Sequence, residues 1–131
     1  DYLVEESESY DENELTSEKA KQICLEYMGE SFTFLNPQKL IEPLWKFSSS
    51  LLENKDNYSQ LINILMHLAG VFERALRQDT LIAPQEELKL TEQTERFQQL
   101  EQALNILSGT FQIEMPKDEI YYLEQLLAYQ E

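Results

Sequence analysis

Apolar residues recur along this chain at helical spacing, and the clearest run is Leu61 to Leu81, LINILMHLAGVFERALRQDTL. Leu61, Leu65, Leu68, Phe72 and Leu76 follow one another at steps of four, three, four and four. That rhythm puts them on one face of an α-helix. A second row, Ile64, His67, Val71 and Arg74, flanks the first. His67 and Arg74 are seven residues apart, so at about 100° per residue they point almost the same way. The helix therefore carries an imidazole and a permanent cation along one edge of its buried stripe. Gly70 follows His67 by one turn. Glycine inside a helix costs roughly 1 kcal/mol against alanine and commonly marks close packing or needed space.

Similar patterns lie on both sides. Thr16 or Ser17 caps a first helix with Ala20, Ile23, Cys24 and Tyr27 on its apolar edge and Gly29 as its stop. Asn36-Pro37 opens a second, because asparagine accepts free N–H groups and proline fits the first helical position. Leu40, Leu44, Phe47, Leu51 and Leu52 line its face, and Trp45 lies off the stripe as a packing or interface residue. Pro43 either kinks this helix or marks a later start. Asn54 to Asn57 reads as a turn before the central helix.

Residues 79–91 read as a loop with a short turn at Gln85 to Leu88, and Thr91 as the cap of the next helix. Phe97, Leu100, Leu104 and Leu107 line that helix, and Ser108-Gly109 ends it. Phe111 and Ile113 alternate as an extended link. Pro116 starts the last helix, with Asp118 and Glu119 in its first turn and Ile120, Leu123, Leu126 and Leu127 inside. The expected fold is all-α with at least four helices, Leu61 to Gln78 in one of them, and no sheet of three or more strands. Short links favour an antiparallel bundle of about five helices over residues 16–131, with an extra N-terminal helix.

Composition narrows this further. At 131 residues, 42% hydrophobic, the chain suits one domain with one core. The net charge is −15, unevenly spread. Residues 1–18 hold eight acids and no base, residues 19–81 seven of each, and residues 82–131 ten acids and three bases. Residues 1–15, which open on DYLVEESESYDENE, read as an acidic disordered linker or tail. Nucleic-acid binding needs a basic surface that is missing here. Cys24 stands alone, so no internal disulfide forms and a reducing cytoplasm is the simplest compartment. No signal peptide is visible, and no apolar run approaches the ~20 residues of a membrane span. The initial Asp1 suggests a piece excised from a longer chain.

The sequence offers no Gly-rich phosphate loop, no zinc-spaced Cys/His cluster and no calcium loop. Asp118 and Glu119, at a helix start, read as structural. Nothing argues for an enzyme, a metal or a cofactor.

Three pieces resemble one family. HLAGVFERAL is similar to the "H-l-x-x-x-x-e-R-l" helix of PTS regulation domains (PRDs), found in bacterial antiterminators and activators. Phe34-Leu35-Asn36-Pro37 opens a helix before it, as in the C-terminal PRD of LevR-type sigma-54-dependent transcriptional activators. FQIEMPKDEIYYLEQLL, Phe111 to Leu127, resembles the closing "f-x-i-x-i-P-x-d-E-i-x-y-l" segment. The likeness spans residues 34–127.

The resemblance implies a regulatory domain of a bacterial transcriptional regulator in sugar-uptake control, switched by reversible histidine phosphorylation. His67 is then the phosphoacceptor, with Arg74 and Arg77 the nearest cations in sequence. The donor is the phosphocarrier protein HPr or an enzyme IIB component of the sugar phosphotransferase system. Other domains of the same regulator, or a second copy as a homodimer, read the result. The chain departs from many PRDs in having no second histidine; Leu126 stands near the expected place. That excludes two-site phosphorylation and fits a single-histidine domain. It fits equally a domain whose His67 is unmodified. The alternative is a helical protein–protein interaction module with a structural histidine, and a weaker one is an enzyme using His67 as base. On the phosphoacceptor reading, Arg74→Ala leaves the fold largely intact.

Overall fold

The computed structural model describes residues 15–130, with side chains through Ala128. Asp1 to Glu14, read above as an acidic tail, lie outside the described residues. The described chain is all-helical: α1 (Ser17–Ser31), α2 (Pro37–Ser50), α3 (Tyr58–Arg77), α4 (Gln85–Thr91), α5 (Glu95–Thr110) and α6 (Lys117–Gln130).

Four helix starts are fixed by side-chain caps. Thr16, Asn36, Asn57 and Thr94 accept the N–H groups of Lys19, Gln38, Gln60 and Phe97. Each bond satisfies a donor that the helix itself leaves free. α3 is the axis of the molecule. It packs against α1, α2 and α6, while α6 also holds α4 and α5. Leu61, Ile64, Leu65, Leu68 and Phe72 are all fully buried. Each such side chain contributes roughly 1.5–3 kcal/mol by leaving water.

Several boundaries differ from the sequence expectation. α1 runs past Gly29 to Ser31, and Phe32 caps it through Met28 O. Its buried row is Ala20, Cys24 and Met28, whereas Tyr27 is exposed. The Phe32 N–H bond to Met28 O carries the last turn through the glycine. Pro43 lies inside α2, which starts at Pro37. The stretch expected to be a loop holds α4, where buried Leu88 anchors a full helical segment. Thr91 is that helix's last residue, and the cap of α5 is Thr94. α5 continues through Gly109 to Thr110, and the left-handed turn falls on Gln112, φ 57°. Leu76, expected on the inner face of α3, is 39% exposed. It borders an open cleft of about 390 Å³ that it lines with Gln112, Ile113 and Pro116, so this end of the stripe faces the cleft rather than a covering helix.

Two carboxylates are buried among the described residues, Glu73 and Glu119. Glu73 on α3 is buried, and its carboxylate accepts the N–H groups of Thr33, Phe34 and Leu35 at 3.0–3.2 Å. These are backbone donors of the α1–α2 link, so one side chain fixes where α2 begins. Glu73→Ala should leave three donors without an acceptor and cost on the order of 3 kcal/mol. Urea unfolding should show this as a lower midpoint at unchanged slope; a midpoint within error of wild type would show that water replaces the carboxylate.

Candidate functional site

The second row of α3 ends where α6 begins. Ile64 and Val71 are buried, and His67 and Arg74 are half-buried beside them. Arg74 Nε donates to Glu119 Oε2 at 2.8 Å and Nη2 donates to Oε1 at 2.9 Å. This is a fork-on-fork pair, the strongest geometry a guanidinium and a carboxylate adopt. The Glu119 side chain has no exposure and that of Arg74 has 23%. Glu119 Oε2 also accepts Leu81 N–H at 2.9 Å. Its neighbour Asp118 accepts Ala83 N–H at 2.8 Å and a Gln85 side-chain N–H at 3.2 Å. Tyr122 donates to Ile82 O at 3.0 Å. The first turns of α6 thus stitch down the connector between α3 and α4.

His67 Nε2 is buried and has no hydrogen-bond partner. Burial of the ring lowers the His67 pKa below 6.5; the Arg74 cation lowers it further, and the Glu119 carboxylate acts the other way. The imidazole is therefore neutral at neutral pH, with a lone pair available on one nitrogen. The residue as a whole is half-buried, while Nε2 itself has no access to solvent. A cleft of about 600 Å³, floored by Leu51, Leu100 and Leu127, reaches Ile64 but not His67.

The residues singled out in the sequence separate here. Arg74 leans back along α3, and its Nη1 lies 3.5 Å from where a Cβ on Gly70 would stand. Arg77 is exposed in the last turn of α3. It lies roughly 15 Å of helical rise from His67 and about 80° round from it. The sequence reading gave Arg74 no partner in the unmodified chain; the structure gives it Glu119. Loss of Arg74 therefore strands a buried carboxylate, and the expectation that Arg74→Ala spares the fold gives way. Glu73 and Glu119 are the residues that the sequence reading missed or passed over. An acid next to Arg74 on a helix with a wide apolar face was the only signal for Glu73. Its acceptors' partners lie about forty positions earlier, which no periodicity reveals.

Cys24 is a core residue, its thiol pushed up to about 12 by burial. Trp45 is half-buried, stacks on Tyr58 and carries the Lys21 ammonium 5.2 Å above its ring. Among the described residues no three His, Cys, Asp or Glu side chains gather where they could hold a metal ion. No helix among them is long and apolar enough to cross a membrane.

A family model described as PRD domain matches residues 42–130. No curated protein and no solved structure matches the chain. The match begins inside α2, so α1 precedes it while sharing the core with α3.

Two outcomes test this geometry. Gly70→Ala should stabilise the protein by up to about 1 kcal/mol, since a methyl there meets only Arg74 at ordinary contact distance. Thermal unfolding below the wild-type midpoint would mean the site is tighter than the 3.5 Å contact indicates. The second outcome concerns pH. A histidine whose folded pKa lies below its unfolded 6.5 leaves the unfolded chain holding more protons on acidification. Stability is then fully present above pH 6.5 and falls as pH drops through the folded value. Titrated unfolding should show a steeper loss below pH 6.5 in wild type than in His67→Gln; parallel curves would place the ring in water.

Proposed function

The chain belongs to the PRD domain family, whose members are regulatory domains controlled by the sugar phosphotransferase system, and from that premise we propose that it is switched by phosphorylation of His67. The observation that carries this is the placement of the only histidine. Its neutral ring lies on the edge of the central helix, beside the buried Arg74–Glu119 ion pair that joins α3 to α6. A module that only docked other proteins would still need Arg74 to neutralise buried Glu119, but it would not need a neutral imidazole at that edge.

The chemistry asks little of the domain. The lone pair on the unprotonated His67 nitrogen attacks phosphorus on the donor's phosphorylated side chain. The bond from phosphorus to the donor breaks, and its electron pair stays on the donor. The proton on the other His67 nitrogen remains in place. The phosphoryl group carries roughly two negative charges, and the ring, keeping its other N–H, carries one positive charge, so a net negative charge arises next to an apolar face and a buried carboxylate. Arg74 is the cation within reach, while Arg77 sits too far along and around α3. The burial of Nε2 couples transfer there to a parting of the local packing, which is how a small chemical change alters the packing of a whole domain.

The donor we propose is the phosphocarrier protein HPr or an enzyme IIB component, in the cytoplasm. The parent protein we propose is a LevR-like sigma-54-dependent activator of carbohydrate genes. Support comes from Phe34 to Pro37 opening α2 and from the single histidine. The domain itself acts as no enzyme on this reading, and DNA is contacted elsewhere in that regulator.

Incubation with phosphorylated phosphocarrier proteins tests the acceptor. Wild type should take up acid-labile, base-stable phosphate, and folded His67→Gln should take up none. Label retained by His67→Gln, or no uptake by wild type from any phosphotransferase donor, would leave the interaction-module reading in its place.

A further inference from the structure

The hydrogen bonds of Arg74 to described residues lie along one edge, and the Asp79 carboxylate adds a longer-range attraction. Arg74 Nε and Nη2 are taken by the two oxygens of Glu119. Its Nη1 donates to no described residue and lies over Gly70, 3.5 Å from the position of the missing Cβ. Outside the glycine's chain neighbours and its own helix backbone, no other atom comes within 4 Å of that position. Gly70 therefore leaves a gap along the edge of α3, and His67 stands one turn beyond it. A guanidinium is a rigid plane with five N–H donors, so holding the Nε/Nη2 edge fixes the direction of the Nη1 end. The buried Glu119 carboxylate is itself fixed by Leu81 N–H. The free end of Arg74 is thus aimed by contacts that do not involve His67 at all.

Resting on the reading of His67 as phosphoacceptor, we propose that Glu119 and Gly70 are positioning residues for the phosphoryl group. Glu119 fixes the plane of Arg74, and Gly70 keeps open the gap through which Nη1 reaches the phosphoryl oxygens. Arg74 then serves two anions through two different edges. Phosphorylation leaves the α3–α6 ion pair closed, and the connector held by Glu119 stays in place. Transfer itself is the exchange already described, with phosphorus passing from donor to His67 and nothing oxidised or reduced.

The gap can be filled without removing either charge, the new side chain meeting Arg74 Nη1 alone at its Cβ. Gly70→Ala and Gly70→Leu both favour the helix, so a merely structural glycine predicts equal or higher stability and unchanged phosphorylation. The proposal instead predicts that stability and phosphorylation move in opposite directions. The full chain is equilibrated with phosphorylated phosphocarrier protein, and the phosphohistidine fraction is read by phosphorus NMR. The equilibrium constant should fall with side-chain size, reaching roughly tenfold or more for Gly70→Leu, about the worth of a charge-assisted hydrogen bond. In wild type, the Arg74 Nη1 protons should shift on phosphorylation while the Nε proton and the Leu81 amide keep their protection.

Uptake by wild type with an equilibrium indifferent to Gly70→Leu overturns this proposal and leaves the phosphoacceptor reading standing. So does a loss of Leu81 protection together with a shifted Nε proton, which would mean that Arg74 abandons Glu119 for the phosphate. No uptake by wild type overturns both. If Gly70→Leu fails to fold, the Arg74 protons of the wild-type protein decide alone.

Discussion

A carboxylate without access to water has to be neutralised where it lies, and Glu119 is neutralised by Arg74. Three N–H donors converge on its two oxygens, two from the guanidinium and one from Leu81. Against well-packed apolar side chains of the same size, such a pair gains little stability. What it gains is uniqueness. Only one placement of the α6 start against α3 satisfies all three donors, and a shifted placement would bury a bare charge. The connector between α3 and α4 inherits its path from the same carboxylate, with Asp118 and Tyr122 adding further anchors.

Glu73, the residue before Arg74, does the matching task on another side of α3. Its carboxylate collects three backbone donors from the α1–α2 link. Successive helical residues point about 100° apart, so an acid–base dipeptide can serve two different neighbours. Residues 73 and 74 thus pin α1–α2 and α4–α6 to one helix. The apolar stripe of α3 supplies the driving force for collapse, and these two side chains set the registers in which it collapses. α1 belongs to this arrangement although it precedes the PRD match. Its Cys24 and Met28 lie in the same core as Leu65 and Phe72.

His67 stands beside the second of these pins and takes its chemistry from it. Burial and the Arg74 cation keep the ring neutral, as a nucleophile requires. The same guanidinium that neutralises Glu119 has an end to spare for a new anion. On the proposed reading of His67 as phosphoacceptor, the structural ion pair would serve as the anchor of the site, and the response to a charge on His67 would be set by geometry already present.

Much of this was legible in the residues themselves. Steps of three and four fix helices, and caps such as Asn36-Pro37 fix their starts, because both depend on interactions within a few positions. The all-α class, the central helix and the alignment of His67 with Arg74 follow from that local physics. The ends of helices were less legible: Gly29 and Gly109 suggested a stop, yet the last turns run through both glycines and close with bonds from Phe32 to Met28 O and from Phe111 to Ser108 O. The partner of Arg74 was not legible at all. Glu119 lies forty-five residues on, in a helix start where any acid is favourable for its own local reasons. Only packing of α6 against α3 could decide that this acid is buried, because a helix pattern records which face turns inward and not which charge it meets there.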